Sequence, residues 1–172
     1  MAAMSATEWI AEHAPGFRDL CREEYDAITD FSLLWSFFEG RVLKTSGNAE
    51  SIMRAARQWA RQGLLAVEPF QPEVAYFRER YFAEGGFTYH ISQLHFRRPD
   101  REEMVKRVLS GESNDSAEAA AAALIIVYRY RNNLFHGEKW SYNLQGQFDN
   151  FNHANSVLKK AIELHRKSRA QD

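Results

Sequence analysis

At 172 residues, with 45% apolar and 26% charged side chains, the chain has the length and composition of one folded globular domain, which excludes the disordered and fibrous classes. Its 22 basic and 23 acidic side chains leave a net charge of −1, which argues against a general DNA-coating protein. The balance is uneven along the chain: residues 1–40 carry eight acids and two bases, and the remainder has an excess of bases.

Taken in order, Ser5-x-x-Glu8 caps a short helix over 5–14 that stops at Pro15-Gly16, and nothing there has the basic start and apolar core of a signal peptide. From Phe17 to Val42, apolar residues recur in steps of three and four (Leu20, Cys21, Tyr25, Ile28, Phe31, Trp35, Phe38), which predicts a long amphipathic helix. Leu33, Leu34 and Phe37 widen its apolar face, a width that suits either burial under two neighbours or a subunit interface. Cys21 is the single cysteine, so an intramolecular disulfide and a cysteine zinc cluster are excluded and a reducing cytoplasm is expected.

Ser46 or Asn48 is placed to cap a helix over Ala49 to Gln62, ended by Gly63. Pro69 and Pro72 bracket a loop, and Pro72 opens a helix carrying Val74, Phe77, Tyr81 and Phe82 that Gly85-Gly86 terminates. Residues 84–98 read as an insert or lid: apolar residues alternate briefly at 87, 89 and 91, but no second strand is evident to pair with them. His90 and His95 lack a third ligand at a metal-binding spacing, so no metal and no cofactor are expected. The aromatics interleaved with Arg97 and Arg98 suit either a packed lid or base stacking with phosphate contacts. Pro99 then starts a helix to Leu109, with Met104, Val105, Val108 and Leu109 inward.

Residues 116–135 read as one buried helix, with Asp115 as N-cap, Glu118 three residues on, and Gly137 as the stop. Its longest apolar run, Ala119 to Val127, is far shorter than the roughly 20 residues a membrane helix needs. The run ends in Tyr128-Arg-Tyr-Arg-Asn-Asn-Leu-Phe-His-Gly-Glu-Lys-Trp140, a polar stretch at the end of an interior helix. A last helix follows Gly146, with Phe148, Phe151, Asn155, Leu158, Ile162 and His165 at helical spacing and a basic C-terminal end that complements its dipole. Four to five main helices and no convincing sheet predict an all-α, antiparallel up-and-down bundle in a single domain, 1–172.

Arg131-Asn132-x-x-x-His136 resembles the R-N-x-x-x-H form of the Rx4-6H signature of HEPN domains (higher eukaryotes and prokaryotes nucleotide-binding), small helical bundles of toxins, defence proteins and RNA-processing enzymes. The motif covers residues 131 to 136, and its helical context extends the similarity to about 17–168. The resemblance implies a HEPN-like fold and a metal-independent endoribonuclease acting as a toxin or phage-defence effector. Its substrate would be RNA, its assembly a homodimer, and its restraint an antitoxin such as a small nucleotidyltransferase. Arg131 and His136 match the two signature positions and Asn132 the polar residue that commonly follows the arginine; Tyr128, Arg129, Asn133 and Lys139 are neighbours placed to touch RNA or line the cleft. The alternative is a non-catalytic HEPN-like module that binds a nucleotide or RNA or serves as a dimerising partner.

The residue types suit that chemistry. A histidine gives or takes a proton near neutral pH, and an arginine binds two phosphate oxygens at once. Arg131 and His136 are five residues apart, about 140° around an ideal helix, so one chain does not aim both at one phosphate unless the helix end loosens. A two-fold dimer with both motifs at its axis removes that obstacle. Against a catalytic role stands a plainer one, in which Arg131 is held by an acid in the core, with Glu39 the candidate, and His136 caps carbonyls at the helix end.

Overall fold

The computed structural model describes residues 4–14, 16–135, 144 and 146–171. Seven α-helices are present among them: α1 (Ala6–His13), α2 (Arg22–Arg41), α3 (Ala49–Arg61), α4 (Gln71–Tyr81), α5 (Glu102–Ser110), α6 (Ser116–Phe135) and α7 (Phe148–Arg169). Between α4 and α5 lie a hairpin of β1 (Phe82–Ala83) and β2 (Gly86–Phe87) and two 3₁₀ turns, Tyr89–Leu94 and Arg98–Asp100. The fold is an all-α bundle. No helix among the described residues is long and apolar enough to cross a membrane.

α6 is the axis. Ala117, Ala120 to Ala123 and Leu124 to Val127 are all buried, so the helix is apolar on every side and has to sit inside its neighbours. Its alanines keep it thin, which lets α3 and α5 pack closely on it. Asp115 caps it as expected, accepting the Glu118 amide at 2.7 Å. Glu118 does not complete a capping box: its carboxylate is taken by Arg107 at 2.9 and 3.1 Å and by Ser113 at 2.6 Å, which ties α6 to α5.

Direction alternates along the chain. α2 and α7 run antiparallel, with the Phe31 and Phe151 rings 5.1 Å apart and Asn155 donating to the Ala27 carbonyl at 2.9 Å. α2 and α6 run in the same sense, since Trp35 meets Tyr128 and Glu39 meets Arg131. α3 and α5 run the opposite way, against α6: Glu50 pairs with Arg101 at the end of the bundle that holds Arg131, while Gln62 reaches Ser168 at the other. α4 rises to place the Tyr81 hydroxyl 2.6 Å from that of Tyr130.

Several expected boundaries move. The first long helix starts at Arg22 instead of Phe17, because the Cys21 amide donates to Glu24 at 3.1 Å and Phe17 to Asp19 form turns. α4 ends at Tyr81, and Phe82 leaves it to pair with Phe87 across Glu84-Gly85, both at positive φ (52° and 77°), the geometry of a tight hairpin turn. α5 begins at Glu102, since Arg101 sits in the left-handed region at φ 57° and breaks it from the preceding turn. In α7 the buried stripe is Phe151, Ala154, Val157, Leu158, Ala161 and Leu164, which leaves Phe148 exposed.

Candidate functional site

The last turns of α6 place Arg131 against α2. One terminal nitrogen of its guanidinium donates to the Asn132 side-chain oxygen at 3.0 Å, and the other lies 4.0 Å from the Glu39 carboxylate. Glu39 is itself fixed, because the same oxygen accepts from the Trp35 indole N–H at 3.1 Å. The guanidinium carbon is 6.0 Å from the centre of the Trp35 ring and 5.5 Å from that of Phe135, within cation–π range of both. Gly47 closes the other side: a Cβ there would collide with the Glu39 carboxylate.

Arg131 keeps 30% of its side-chain surface exposed, and its Nε is buried with no hydrogen-bond partner among the described residues. Asn132 is buried, so its role at this point is to hold the arginine from the protein side. The arrangement is a guanidinium oriented by an acid, an amide and two rings, on a side chain that keeps part of its surface in solvent. Such a group can accept phosphate oxygens without first being reordered. His136 and Lys139 lie outside the described residues, as does the helix stop expected at Gly137.

Arg129 and Asn133 are turned inward and line no cleft. Arg129 is 1% exposed, forms an ion pair with the equally buried Asp100 at 3.0 Å, and donates from Nε to the Leu94 carbonyl at 2.9 Å. Asn133 donates to the Gln93 carbonyl at 2.9 Å. Both are spent on fastening the 3₁₀ turn Tyr89–Leu94 to α6, so the segment expected to be a lid is an insert anchored from the core, with Leu94 buried beneath it. Positions 129 and 133 are i,i+4, so they share a face that the polar sequence alone did not assign to the interior. Tyr128 is partly buried, with its ring 5.9 Å from that of Trp35.

A second polar cluster lies at the same end of the bundle. The Tyr81 and Tyr130 hydroxyls meet at 2.6 Å, and Asn150 accepts from Tyr130 at 3.2 Å and from Tyr76 at 2.8 Å. Burial pushes the Tyr81 phenol up to about 12, although its bond to Tyr130 opposes the shift; burial likewise holds Tyr130 well above the ordinary tyrosine range. Of these tyrosines the sequence reads Tyr81 as an inward position beside Val74 and Phe77, and it carries no mark of the contacts between them.

Among the described residues no group of three or more His, Cys, Asp or Glu side chains is placed to hold a metal ion. A cavity of about 240 Å³ lies away from the motif, at the start of α6, between Phe70, Val74, Arg78 and Ala119. No family model, curated protein or solved structure matches the chain.

Proposed function

We propose that this chain is a HEPN-like, metal-independent endoribonuclease that acts as a homodimer, in a toxin or phage-defence role. The observation that supports the reading best is the state of Arg131: it is oriented by Glu39, Asn132, Trp35 and Phe135, yet keeps solvent-facing surface at the end of a buried helix.

In the proposed reaction a base removes the proton of an RNA 2′-hydroxyl. The oxygen attacks the adjacent phosphorus, and the bond to the departing 5′-oxygen breaks as an acid protonates it. The products are a 2′,3′-cyclic phosphate and a 5′-hydroxyl. Arg131 stabilises the charge that builds on the phosphoryl oxygens. His136 of one protomer serves as base and the same residue of the second as acid, which the dimer supplies and one chain does not. RNA is the substrate, the compartment is the cytoplasm, and an antitoxin protein is the restraint.

A second reading is a non-catalytic HEPN-like module that binds RNA or a nucleotide, or dimerises. It is favoured by the contact between Arg131 and Glu39, which is the arrangement a structural arginine adopts. Induced expression in a bacterial host separates the two. The nuclease reading predicts growth arrest by the wild-type chain, and no arrest by Arg131→Ala or His136→Ala variants that accumulate equally and keep the dimeric size. Arrest by both variants, or a monomeric active chain, contradicts it.

A further inference from the structure

On the α4 side of the same bundle end, Tyr76, Glu79, Arg80, Thr88, Tyr89 and His90 line an open groove of about 470 Å³. Tyr89 is 72% exposed, a large ring left in water. Its neighbour His90 lies against it with ring centres 3.9 Å apart, and Tyr76 stacks on His153 at 3.8 Å and 11°. Arg80 sits beside the Tyr81 ring at 5.8 Å, and its Nε is buried with no hydrogen-bond partner among the described residues.

The backbone carrying Tyr89 is pinned. The Thr88 amide donates to the Tyr81 carbonyl at 2.9 Å, and the Thr88 hydroxyl to the Arg80 carbonyl at 2.7 Å. From the far end, Arg129 and Asn133 hold the Leu94 and Gln93 carbonyls. Hydrogen bonds, partly or fully buried, thus fix the segment from both ends while the Tyr89 ring stays outside. A ring held in this way loses little freedom when another flat group lies on it. The same insert carries exposed Arg97 and Arg98.

Stackable rings beside a guanidinium on a fixed backbone are what sequence-tolerant binding of a single strand requires: π-faces for unpaired bases and cations for the phosphates between them. A duplex hides its base faces and offers nothing to Tyr89. We infer that the Arg80–Tyr89 groove is a binding surface for single-stranded RNA. The inference rests on the nuclease reading for its choice of RNA.

The test measures fluorescence anisotropy with a short labelled oligoribonucleotide of mixed sequence, 2′-O-methylated so that it cannot be cleaved, and with the duplex of that sequence, over a range of salt. The wild-type chain is expected to bind the single strand more tightly than the duplex. Tyr89→Ala weakens single-strand binding by roughly 5- to 150-fold, the range for losing one base stack, and Tyr89→Phe restores it. Arg80→Gln lowers the slope of log K against log salt by about 0.7, one phosphate contact. Wild-type-like binding by Tyr89→Ala and Arg80→Gln, absence of wild-type binding, or equal affinity for the duplex each overturns the inference. Because the probe cannot be cut, the two readings fail separately. Groove-dependent binding without cleavage of ordinary RNA removes the nuclease and leaves the groove; cleavage that needs His136, with binding indifferent to Tyr89 and Arg80, does the reverse.

Discussion

The Glu39 carboxylate takes the Trp35 indole N–H at 3.1 Å and lies 4.0 Å from the Arg131 guanidinium, so a residue of α2 aims the arginine of the α6 motif. The pair is partly exposed, which limits its own contribution to stability to about 0–1 kcal/mol. Its effect falls on the charge that Arg131 presents. Removing the negative charge while keeping the shape, as in Glu39→Gln, is expected to strengthen phosphate binding at Arg131 by up to about 5-fold, the equivalent of about 1 kcal/mol. RNA affinity and KM read this directly, and weaker binding by the variant would contradict it.

Gly47 controls the same contact from outside the motif. A Cβ there meets the end of the Glu39 side chain, which can swing aside at the loss of its bond to Trp35. Gly47→Ala is expected to cost about 1 kcal/mol by chemical denaturation, one hydrogen bond, and to change RNA affinity in the same direction as Glu39→Gln. A stability loss several times larger would mean that backbone, and not Glu39, yields.

Arg129 and Asp100 form a buried ion pair, 1% and 3% exposed. Asp100→Asn removes one charge and leaves the other inside, which is expected to destabilise the fold by about 3–5 kcal/mol. Denaturant midpoints check this. Asp100→Asn also loosens the 3₁₀ turn, so amide exchange should quicken across Tyr89–Leu94 before it does in α6. Unchanged stability would show that Arg129 is not a core residue.

The Tyr81 phenol, raised to about 12 by burial, makes alkaline stability directional. In the unfolded chain a tyrosine ionises near pH 10, so between about pH 10 and 12 the unfolded state holds fewer protons than the folded one and stability falls as pH rises. Below pH 10 the contribution is fully present. The share of that loss due to Tyr81 is about 2–3 kcal/mol over the window, and Tyr81→Phe, which keeps the ring and leaves the Tyr130 hydroxyl on Asn150, is expected to make the decline shallower while Tyr130 keeps its own share. Thermal melts at stepped pH decide this, and an equal decline in the variant would assign it to other groups.

The helices were legible in the sequence wherever a local signal set them. α6 begins at the expected residue, 116, because its alanine and aliphatic run and its Asp115 cap are local, and its residues to 135 are helical as expected. The caps at Ser5 and Asn48 hold for the same reason. The hairpin at Phe82–Phe87 was not legible, because two-residue strands carry no periodicity and one of them reads as the end of α4. At the motif the sequence placed Arg131 and Asn132 and named Glu39 as a partner for the arginine. It did not separate Arg131, which keeps solvent-facing surface, from Arg129, which is buried against Asp100 and the Leu94 carbonyl. Two arginines two positions apart differ by about 200° on a helix, and only the tertiary arrangement says which side is solvent. Trp35 read as a core aromatic; that its N–H orients Glu39 follows from packing alone.

We propose that this chain cuts RNA without a metal ion, through Arg131 and His136. The most direct measurement is cleavage of a mixed RNA pool that includes tRNA, in EDTA, by the purified wild type, Arg131→Ala and His136→Ala, with end-group analysis of the products and the oligomeric state of each. Fragments ending in 2′,3′-cyclic phosphate are expected from the wild type, and loss of cleavage in both variants while they remain dimeric. No cleavage by the wild type, or equal cleavage by His136→Ala, would contradict it.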